Sequence, residues 1–283
     1  MKLVTFVLDK RARVGALIGD SVVDLTAGGV ADTMLDLIAG GEAALARARR
    51  VADGGESTRR PLAAVGLLAP IPQPGKVLCC GINYRSHAAE NPKAVMPQDP
   101  FFFAKLPTSV IGPDAPIIIP PMSRQVDYEV EFAVVIGKRL SRADTAEVMP
   151  AIFGYTLLND VSARDVQFKE AQITIGKNFD GFAPIGPCIT TADELRHPES
   201  TRLTTRLNGK VMQDGNTSDW VFPLTHVVSF LSQIMTLEPG DIISTGTPAG
   251  VGYFRNPQVF MKAGDLIEIE GEGIGVLRNR VVA

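Results

Sequence analysis

The sequence predicts an α+β fold that is rich in β-strands and is built on a twisted mixed or antiparallel sheet. Eight short β-rich runs follow residue 76, and they do not alternate regularly with long helices. This order argues against a TIM barrel and against a doubly wound parallel sheet. The runs lie at 76–82, 101–105, 116–119, 128–136, 184–191, 203–212, 241–245 and 265–270.

The first 69 residues are predicted to form a small N-terminal α/β domain. Apolar residues alternate on both sides of Gly19-Asp20, which indicates a β-hairpin. Residues 32–53 have the apolar period of a helix, which Gly40 and Gly41 weaken. The run PIPQPGK (70–76) is typical of a stiff linker because it contains three prolines. We therefore predict two domains, 1–69 and 70–283.

Helices are fewer in the second domain. The pattern predicts a short one at 86–90, which Pro92 ends, and others at 141–152 and 160–171. The clearest helix spans 223–237, because its apolar residues recur at helical spacing. A second hairpin is indicated at Asn208-Gly209.

The composition is that of a compact globular protein, with 45% apolar and 21% charged residues in a chain of 283. With a formal net charge of −3, the chain has no strong positive field that would attract nucleic acid or an anionic membrane. The three cysteines form no paired framework, which suits a reducing compartment. We find neither a signal peptide nor an 18-residue apolar run. We therefore expect a cytoplasmic protein without membrane or nucleic-acid partners.

The segment VDYEVEF (126–132) places Asp127, Glu129 and Glu131 at alternate positions, so a strand would direct them to one face. The strand continues into an apolar run that is typical of a covered interior strand. Buried carboxylates need a counter-ion, and a hard divalent cation accepts two or three of them. A solvated strand face paired with Lys or Arg is the alternative interpretation.

A third acid follows in GYTLLNDVSARDVQ (154–167). Asp160 comes after an apolar strand-like run and opens the helix predicted at 160–171. On that helix Arg164 and Gln167 would lie within about 40° of Asp160 around the axis. The segment therefore predicts an acid, a cation and an amide on one stripe, with a surface Asp–Arg pair as the alternative.

Three further residues could contribute to a catalytic site. His87 and Glu90 lie three residues apart on the short helix, where a carboxylate would fix the imidazole tautomer of a general base on a lid. Lys177 lies in a Gly-flanked turn and could hold a substrate carboxylate or enolate. A surface His–Glu pair is the simpler alternative for the first two.

The loop STGTPAGVG (244–252) could bring backbone N–H groups and the Thr247 hydroxyl close to an anion. It lacks the Gly-Lys-Ser/Thr ending of a P-loop. The sequence contains no G-x-G-x-x-G, C-x-x-C or G-x-S-x-G motif. Dinucleotide binding and serine-hydrolase chemistry therefore have no support.

These segments, taken together and in order, resemble the fumarylacetoacetate hydrolase family over about residues 70–283. The resemblance implies a mixed β-sandwich roll and a homodimer. It implies that Glu129, Glu131 and Asp160 bind Mg²⁺ or Mn²⁺, with Ca²⁺ also acceptable to such ligands. It further implies that His87 and Glu90 form a catalytic dyad on a lid. The positions that bind the 2-oxo acid end of the substrate would be Arg164, Gln167, Lys177 and Thr247.

The activity implied by the resemblance is metal-dependent hydrolysis of a carbon–carbon bond in a 2,4-dioxo acid of the acylpyruvate type. The products would be a carboxylic acid and pyruvate or a related 2-oxo acid. Decarboxylation of an oxaloacetate-type acid, or tautomerisation or isomerisation of a 2-oxo acid in the catabolism of aromatics or sugar acids, is the alternative. A metal-dependent oxo-acid binding protein with little turnover is a third hypothesis. The role of Asp127 stays open, with adjacent basic groups as its expected partners.

Overall fold

The computed structural model describes residues 1–54, 58–91, 96–169 and 172–283. Its helices are α1 (Met34–Ala39), α2 (Gly41–Gly54), α3 (Arg85–Glu90), α4 (Thr145–Val148), α5 (Arg164–Gln167), α6 (Thr174–Lys177) and α7 (Leu224–Ile234). The strands of the first half are β1 (Lys2–Leu8), β2 (Arg11–Ile18), β3 (Ser21–Asp24), β4 (Arg59–Pro61), β5 (Gly66–Leu67), β6 (Val77–Cys80), β7 (Phe102–Lys105), β8 (Val110–Ile111), β9 (Ile117–Ile118), β10 (Val126–Asp127) and β11 (Val130–Ile136). Those of the second half are β12 (Ile152–Asn159), β13 (Ser162–Ala163), β14 (Ala183–Thr191), β15 (Arg202–Leu207), β16 (Lys210–Asn216), β17 (Ile242–Ser244), β18 (Leu266–Gly271) and β19 (Gly275–Val282).

The N-terminal segment folds as its local sequence signals predict. The hairpin at Gly19-Asp20 joins β2 to β3. The predicted helix at 32–53 is divided into α1 and α2 at Gly41, whose φ of 53° favours glycine. Thr33 caps α1 through a capping box with Asp36.

The large sheet is mixed, as predicted. Its strand order is β4-β3-β2-β1-β14-β12-β11-β17-β6-β7, mostly antiparallel, with β17 parallel to β6. The N-terminal strands extend this sheet because β1 pairs with β14 at Lys2–Thr190 and Leu3–Ile189. The separate domain predicted at 1–69 stays a prediction, and it shares a continuous sheet with the remainder of the chain.

A second sheet, in the order β16-β15-β18-β19-β9, packs against the first. The core between the sheets contains Leu157 from β12, Leu203 from β15 and Leu277 from β19. Helix α7 covers this core with Leu224, Val227, Val228 and Leu231, which belong to the apolar face that the sequence predicts. The β-rich sandwich architecture is confirmed, and β11 and β12 lie side by side in the middle of its large sheet.

The helix predicted at 160–171 is wrong for most of its length. Residues 162 and 163 form β13, which pairs with β10, and only 164–167 are helical as α5. Residues 170 and 171 lie outside the described part of the chain. The helix predicted at 141–152 is also shorter, because Ile152 already begins β12. Long-range strand pairing has overridden local helix propensity in both segments.

Strand β19 is absent from the eight predicted runs, and β12 was recognised only as an apolar strand-like run before Asp160. Every residue of β12 is buried, so the strand shows no alternation of polar and apolar residues. β19 does alternate, but the buried Asn279 interrupts its apolar face. Within the described ranges, no helix combines the length and the apolar character that crossing a bilayer would require.

Candidate metal centre and active site

The three predicted metal ligands lie where β11 and β12 meet. Glu131 is in β11, Glu129 immediately precedes that strand, and Asp160 immediately follows β12. The Glu129 N–H donates to Asn159 Oδ1 at 3.1 Å, and the Asp160 N–H donates to the Glu129 carbonyl at 2.9 Å. These contacts, between residues that are 30 and 31 positions apart, bring the acids into one cluster.

The carboxylates of Glu129, Glu131 and Asp160 each offer one oxygen, and these oxygens lie within 4.8 Å of one another. The three residues are between 0% and 5% exposed. The predicted convergence of the acids is therefore present in the fold. Oxygen donors at this spacing, with no nitrogen or sulfur among them, are the set that hard divalent cations prefer.

Buried cations surround two of the three acids. Lys177 Nζ lies 2.8 Å from Glu129 Oε2 and 2.5 Å from Asp160 Oδ2, and Arg164 Nη2 lies 2.5 Å from Glu129 Oε1. Burial alone would raise the pKa of Glu129, but Arg164 and Lys177 outweigh it and hold the pKa below its usual range. Glu129 is therefore ionised at neutral pH.

Glu131 has a different environment. Its Oε2 accepts a hydrogen bond from the Ser244 hydroxyl at 2.5 Å. Burial raises the pKa of Glu131 well above its usual value, and the charges of Asp160 and Glu129 raise it further. A divalent cation beside this carboxyl would favour its ionised form. The chemistry of the donor set thus fits a metal ion.

Lys105 is a site residue that sequence reasoning missed. It is 3% exposed, and its Nζ lies 2.5 Å from Asp160 Oδ1. Its three N–H groups donate to the carbonyls of Val161, Lys177 and Phe182. Within the described part of the chain, Asp160 Oδ1 therefore accepts no directed hydrogen bond. Lys105 is the ion-pair partner of this buried oxygen, and a metal ion bound here would share the oxygen with that cation.

The expected stripe of Asp160, Arg164 and Gln167 on one helix does not form, because Asp160 precedes β13. Arg164 and Gln167 nevertheless meet on α5, where Arg164 Nη1 donates to Gln167 Oε1 at 3.1 Å. Arg164 Nε donates to Asp127 Oδ2 at 2.9 Å. The expectation that a basic group holds Asp127 is thus correct.

The His87–Glu90 pair forms as predicted. His87 Nδ1 lies 2.7 Å from Glu90 Oε2, and the other carboxylate oxygen accepts the Gly250 N–H at 2.8 Å. In a neutral imidazole, Nδ1 would donate its proton to this neighbouring carboxylate, and the lone pair would lie on Nε2. Helix α3 is fixed at its start by the Ser86 N–H, which donates to Asp219 Oδ2 at 2.8 Å.

The loop 244–252 has partners other than those expected. The Thr247 hydroxyl donates to the Val130 carbonyl at 2.8 Å and accepts from Gln213 at 2.8 Å. The N–H groups of Gly250 and Gly252 bond to Glu90 and Asp127. The anions that these two amides bring close are therefore the protein's own carboxylates, Glu90 and Asp127. Thr247 still lines the cavity described next.

A cavity of about 250 Å³ joins the metal-ligand cluster to His87. Its inner wall carries the three acids together with Arg164, Gln167, Lys177 and Thr247. Its outer wall includes Phe101, Phe168 and Phe254, and Phe168 is 54% exposed at the mouth. Eight of the nine predicted site residues line this cavity. The ninth, Glu90, contacts Nδ1 of His87, which is one of the lining residues. The roles of these residues stay predictions.

Comparisons with known proteins agree with this architecture. The family model described as "Fumarylacetoacetate (FAA) hydrolase C-terminal" matches residues 76–282. The chain is 43% identical over 268 residues to the mitochondrial oxaloacetate tautomerase Fahd2a of Rattus norvegicus, covering 94% of this chain and 85% of the relative.

Two solved structures extend over the whole chain. One is a 5-carboxymethyl-2-hydroxymuconate delta-isomerase from Mycobacterium smegmatis, with a TM-score of 0.80 and 35% identity. The other is a maleylpyruvate hydrolase from Sphingobium sp. SYK-6, in complex with manganese(II) and pyruvate, with a TM-score of 0.84 and 32% identity. Each match covers 100% of this chain and 99% of the other. The chain therefore belongs to the fumarylacetoacetate hydrolase family.

Proposed function

We propose that the chain catalyses keto–enol tautomerisation of a short 2-oxo dicarboxylic acid, with oxaloacetate as the first candidate. The main support is that the His87–Glu90 pair and the buried acids line one small cavity that also contains two cations. The 43% identity to an oxaloacetate tautomerase over most of the chain supports the same substrate class.

The proton transfer is assigned to His87. Its Nε2 would take a proton from C3 of the keto acid and return one to the 2-oxo oxygen, which gives the enol without loss or gain of atoms. Glu90 would stabilise the imidazolium that forms between these steps, because its carboxylate bonds to the opposite ring nitrogen. The Gly250 N–H keeps that carboxylate in place.

The substrate carboxylate is assigned to Arg164 and Gln167. Because Gln167 Oε1 accepts from Arg164, the Gln167 amide is oriented with its NH₂ group free to donate to a ligand oxygen. Arg164 contributes a fixed positive charge, since Asp127, Glu129 and Gln167 hold its guanidinium on three sides. A 2-oxo acid would therefore bind with its carboxylate end in the inner part of the cavity.

A Mg²⁺ or Mn²⁺ ion is assigned to Glu129, Glu131 and Asp160, with Ca²⁺ as a further ion that these ligands accept. When bound, such an ion would supply a Lewis acid that makes the C3 proton more acidic. The related hydrolase that was solved with manganese(II) and pyruvate supports a divalent metal as a cofactor of this chain.

Replacing Lys177 by methionine tests whether its ammonium stabilises the negative charge on the enolate oxygen of the substrate. We expect kcat to fall about 10²–10³-fold, as after loss of one oxyanion donor. The affinity for Mn²⁺ should not weaken, because the change removes a positive charge that lies 2.5 Å from Asp160 and 2.8 Å from Glu129. Kinetics at saturating Mn²⁺ and Mn²⁺ titration by electron paramagnetic resonance measure the two effects. Weaker Mn²⁺ binding with an unchanged kcat would contradict this role.

Hydrolysis of an acylpyruvate is the second candidate, and the outer wall of the cavity favours it. Phe101, Phe168 and Phe254 offer an apolar surface to a group on C4, and oxaloacetate has no such group. In this reaction His87 would deprotonate water, the hydroxide would attack the C4 carbonyl, and the C3–C4 bond would break. The products are a carboxylic acid and pyruvate.

A substrate panel separates these functions. Freshly dissolved enol-oxaloacetate, acetylpyruvate and benzoylpyruvate are each followed by ultraviolet absorbance, while lactate dehydrogenase detects released pyruvate. Metal-dependent loss of the oxaloacetate enol without pyruvate supports the tautomerase. Pyruvate from either acylpyruvate supports the hydrolase, and pyruvate from oxaloacetate indicates a decarboxylase. Inactivity on all three, with metal and oxo acid still bound, would favour a binding protein.

Each reaction is run with EDTA and then with Mg²⁺, Mn²⁺ or Ca²⁺ restored. We expect EDTA to abolish turnover and at least one of these ions to restore it, because Glu131 and Asp160 Oδ1 offer oxygens to a cation. Full turnover in EDTA-treated, metal-free buffer would refute the metal requirement.

A further inference from the structure

We infer that Asp127 is a positioning residue that couples the substrate-binding Arg164 to the His87–Glu90 dyad through the loop 249–253. This inference rests on the proposed function for the roles of Arg164 and His87. It adds that Asp127 supports both Arg164 and the dyad. Asp127 is not one of the three acids that converge as metal ligands.

Asp127 is fully buried and accepts four hydrogen bonds. Its Oδ1 accepts from the N–H groups of Gly252 at 2.7 Å and Tyr128 at 2.9 Å. Its Oδ2 accepts from the Tyr253 N–H and from Arg164 Nε, both at 2.9 Å. An ionised carboxylate has acceptor sites for all four donors, and an amide at the same position does not.

The contact with Arg164 orients the cation. The Nε bond to Asp127 complements the Nη2 bond to Glu129 and the Nη1 bond to Gln167. A planar guanidinium held at Nε and at both terminal nitrogens has one orientation. Asp127 therefore fixes the plane in which Arg164 can meet a ligand.

The contacts with the loop orient the base. Gly252, whose N–H is held by Asp127, lies two residues from Gly250, whose N–H is held by Glu90. A Cβ on Gly252 would meet the Val259 carbonyl at 1.8 Å and Asp127 Oδ1 at 2.6 Å, so the backbone here lies directly against the carboxylate. The Gly250 φ of 107° likewise favours glycine. The position of Asp127 thus sets the position of Glu90.

Phe254, the residue that follows this loop, also contacts the imidazole. The Phe254 ring packs edge-on against His87 at a centroid distance of 5.9 Å, and Tyr253, whose N–H bonds to Asp127, packs against Phe254 at 5.2 Å. Displacement of the loop would therefore disturb His87 from two sides. One carboxylate controls both the cation that binds the acid and the base that moves the proton.

The test replaces Asp127 by asparagine and uses readouts that do not need turnover. Oxalate serves as the probe of the Arg164 site, by calorimetry on Mn²⁺-loaded protein. The ¹⁵N spectrum of the imidazoles reports the His87 tautomer, which is tractable because the chain has three histidines. We expect oxalate affinity to fall about tenfold and His87 to lose its single Nδ1–H tautomer, while Mn²⁺ affinity stays unchanged.

Asp24→Asn is the matched control. Asp24 is a buried acid that also accepts from an arginine, at 3.0 Å, and from a backbone N–H, at 2.8 Å, but it does not line the cavity. It should lower thermal stability without changing oxalate affinity or the His87 tautomer. A loss of oxalate affinity in this control equal to that of Asp127→Asn would overturn the inference.

A double-mutant cycle tests the coupling itself. In an Arg164→Lys background, which lacks the Nε–H contact, Asp127→Asn should change oxalate affinity by no more than about twofold.

If Asp127→Asn does not fold, Arg164→Lys should lose oxalate affinity with the His87 tautomer intact, and Gly252→Ala should alter that tautomer. Three outcomes would each overturn the inference. They are independent effects of the two substitutions on oxalate affinity, an unchanged His87 ¹⁵N signal in Gly252→Ala, and loss of Mn²⁺ binding in Asp127→Asn. Failure of every substrate to react would instead count against the proposed function alone.

Discussion

Replacing Glu129 by alanine is expected to abolish divalent-cation binding and turnover together. The variant loses one of three converging carboxylates, and it removes a buried ion-pair partner from both Arg164 and Lys177, which keep Asp127 and Asp160 as their remaining acidic partners. Removing one member of a buried ion pair costs about 3–5 kcal/mol of unfolding free energy. Mn²⁺ titration by electron paramagnetic resonance, the initial rate on oxaloacetate and thermal melting measure the three effects.

Glu129→Gln is the control for the structural part of this effect. It keeps hydrogen-bond acceptance toward Arg164 but removes the charge, so it should recover part of the lost stability without recovering metal affinity. Wild-type Mn²⁺ binding in either folded variant would show that the ion binds elsewhere.

Replacing His87 by alanine is the second large change. We expect kcat to fall about 10²–10⁴-fold, the usual contribution of a positioned general base. Mn²⁺ affinity should stay at the wild-type level, because His87 is not among the residues that converge on the metal site. Glu90→Gln should lower kcat by a smaller factor, since it leaves the imidazole in place and weakens its support.

His226→Ala is the matched control for the loss of an imidazole. His226 lies on α7 and contacts the rings of Phe222 and Phe230, away from the cavity lining. Its removal should leave kcat unchanged. A wild-type rate in His87→Ala would assign the proton transfer to another group.

The metal cluster was predictable because two of its residues lie at alternate positions where β11 begins. The spacing of Glu129 and Glu131, followed by an apolar run, indicated buried acids that need a cation. Asp160 was correctly placed in the cluster by the family resemblance, but the helical geometry first used to relate it to Arg164 was wrong. The pairing of β10 with β13 replaces that helix, and such long-range pairing leaves little local signal.

The counter-ions and supports of the site were harder to predict. Lys105 lies 55 positions before Asp160, at the end of a strand whose sequence suggests only an edge charge. The loop amides that hold Glu90 and Asp127 carry no side-chain signal. The N-terminal segment gave a clear hairpin and helix, but the pairing of β1 with β14 depends on contacts far apart in the chain. The homodimer and the cytoplasmic location stay predictions.

A crystal grown with Mn²⁺ and oxalate tests the central claim most directly, through anomalous scattering at the manganese edge. We predict a single strong peak in the cavity, about 2.0–2.6 Å from an oxygen of each of Glu129, Glu131 and Asp160. Oxalate should complete its coordination, with Arg164 or Gln167 bonded to the oxalate. The account would be contradicted if, in the presence of both ligands, the density showed no ion among these three carboxylates. Lys105, Lys177 and Arg164 would then be their only partners.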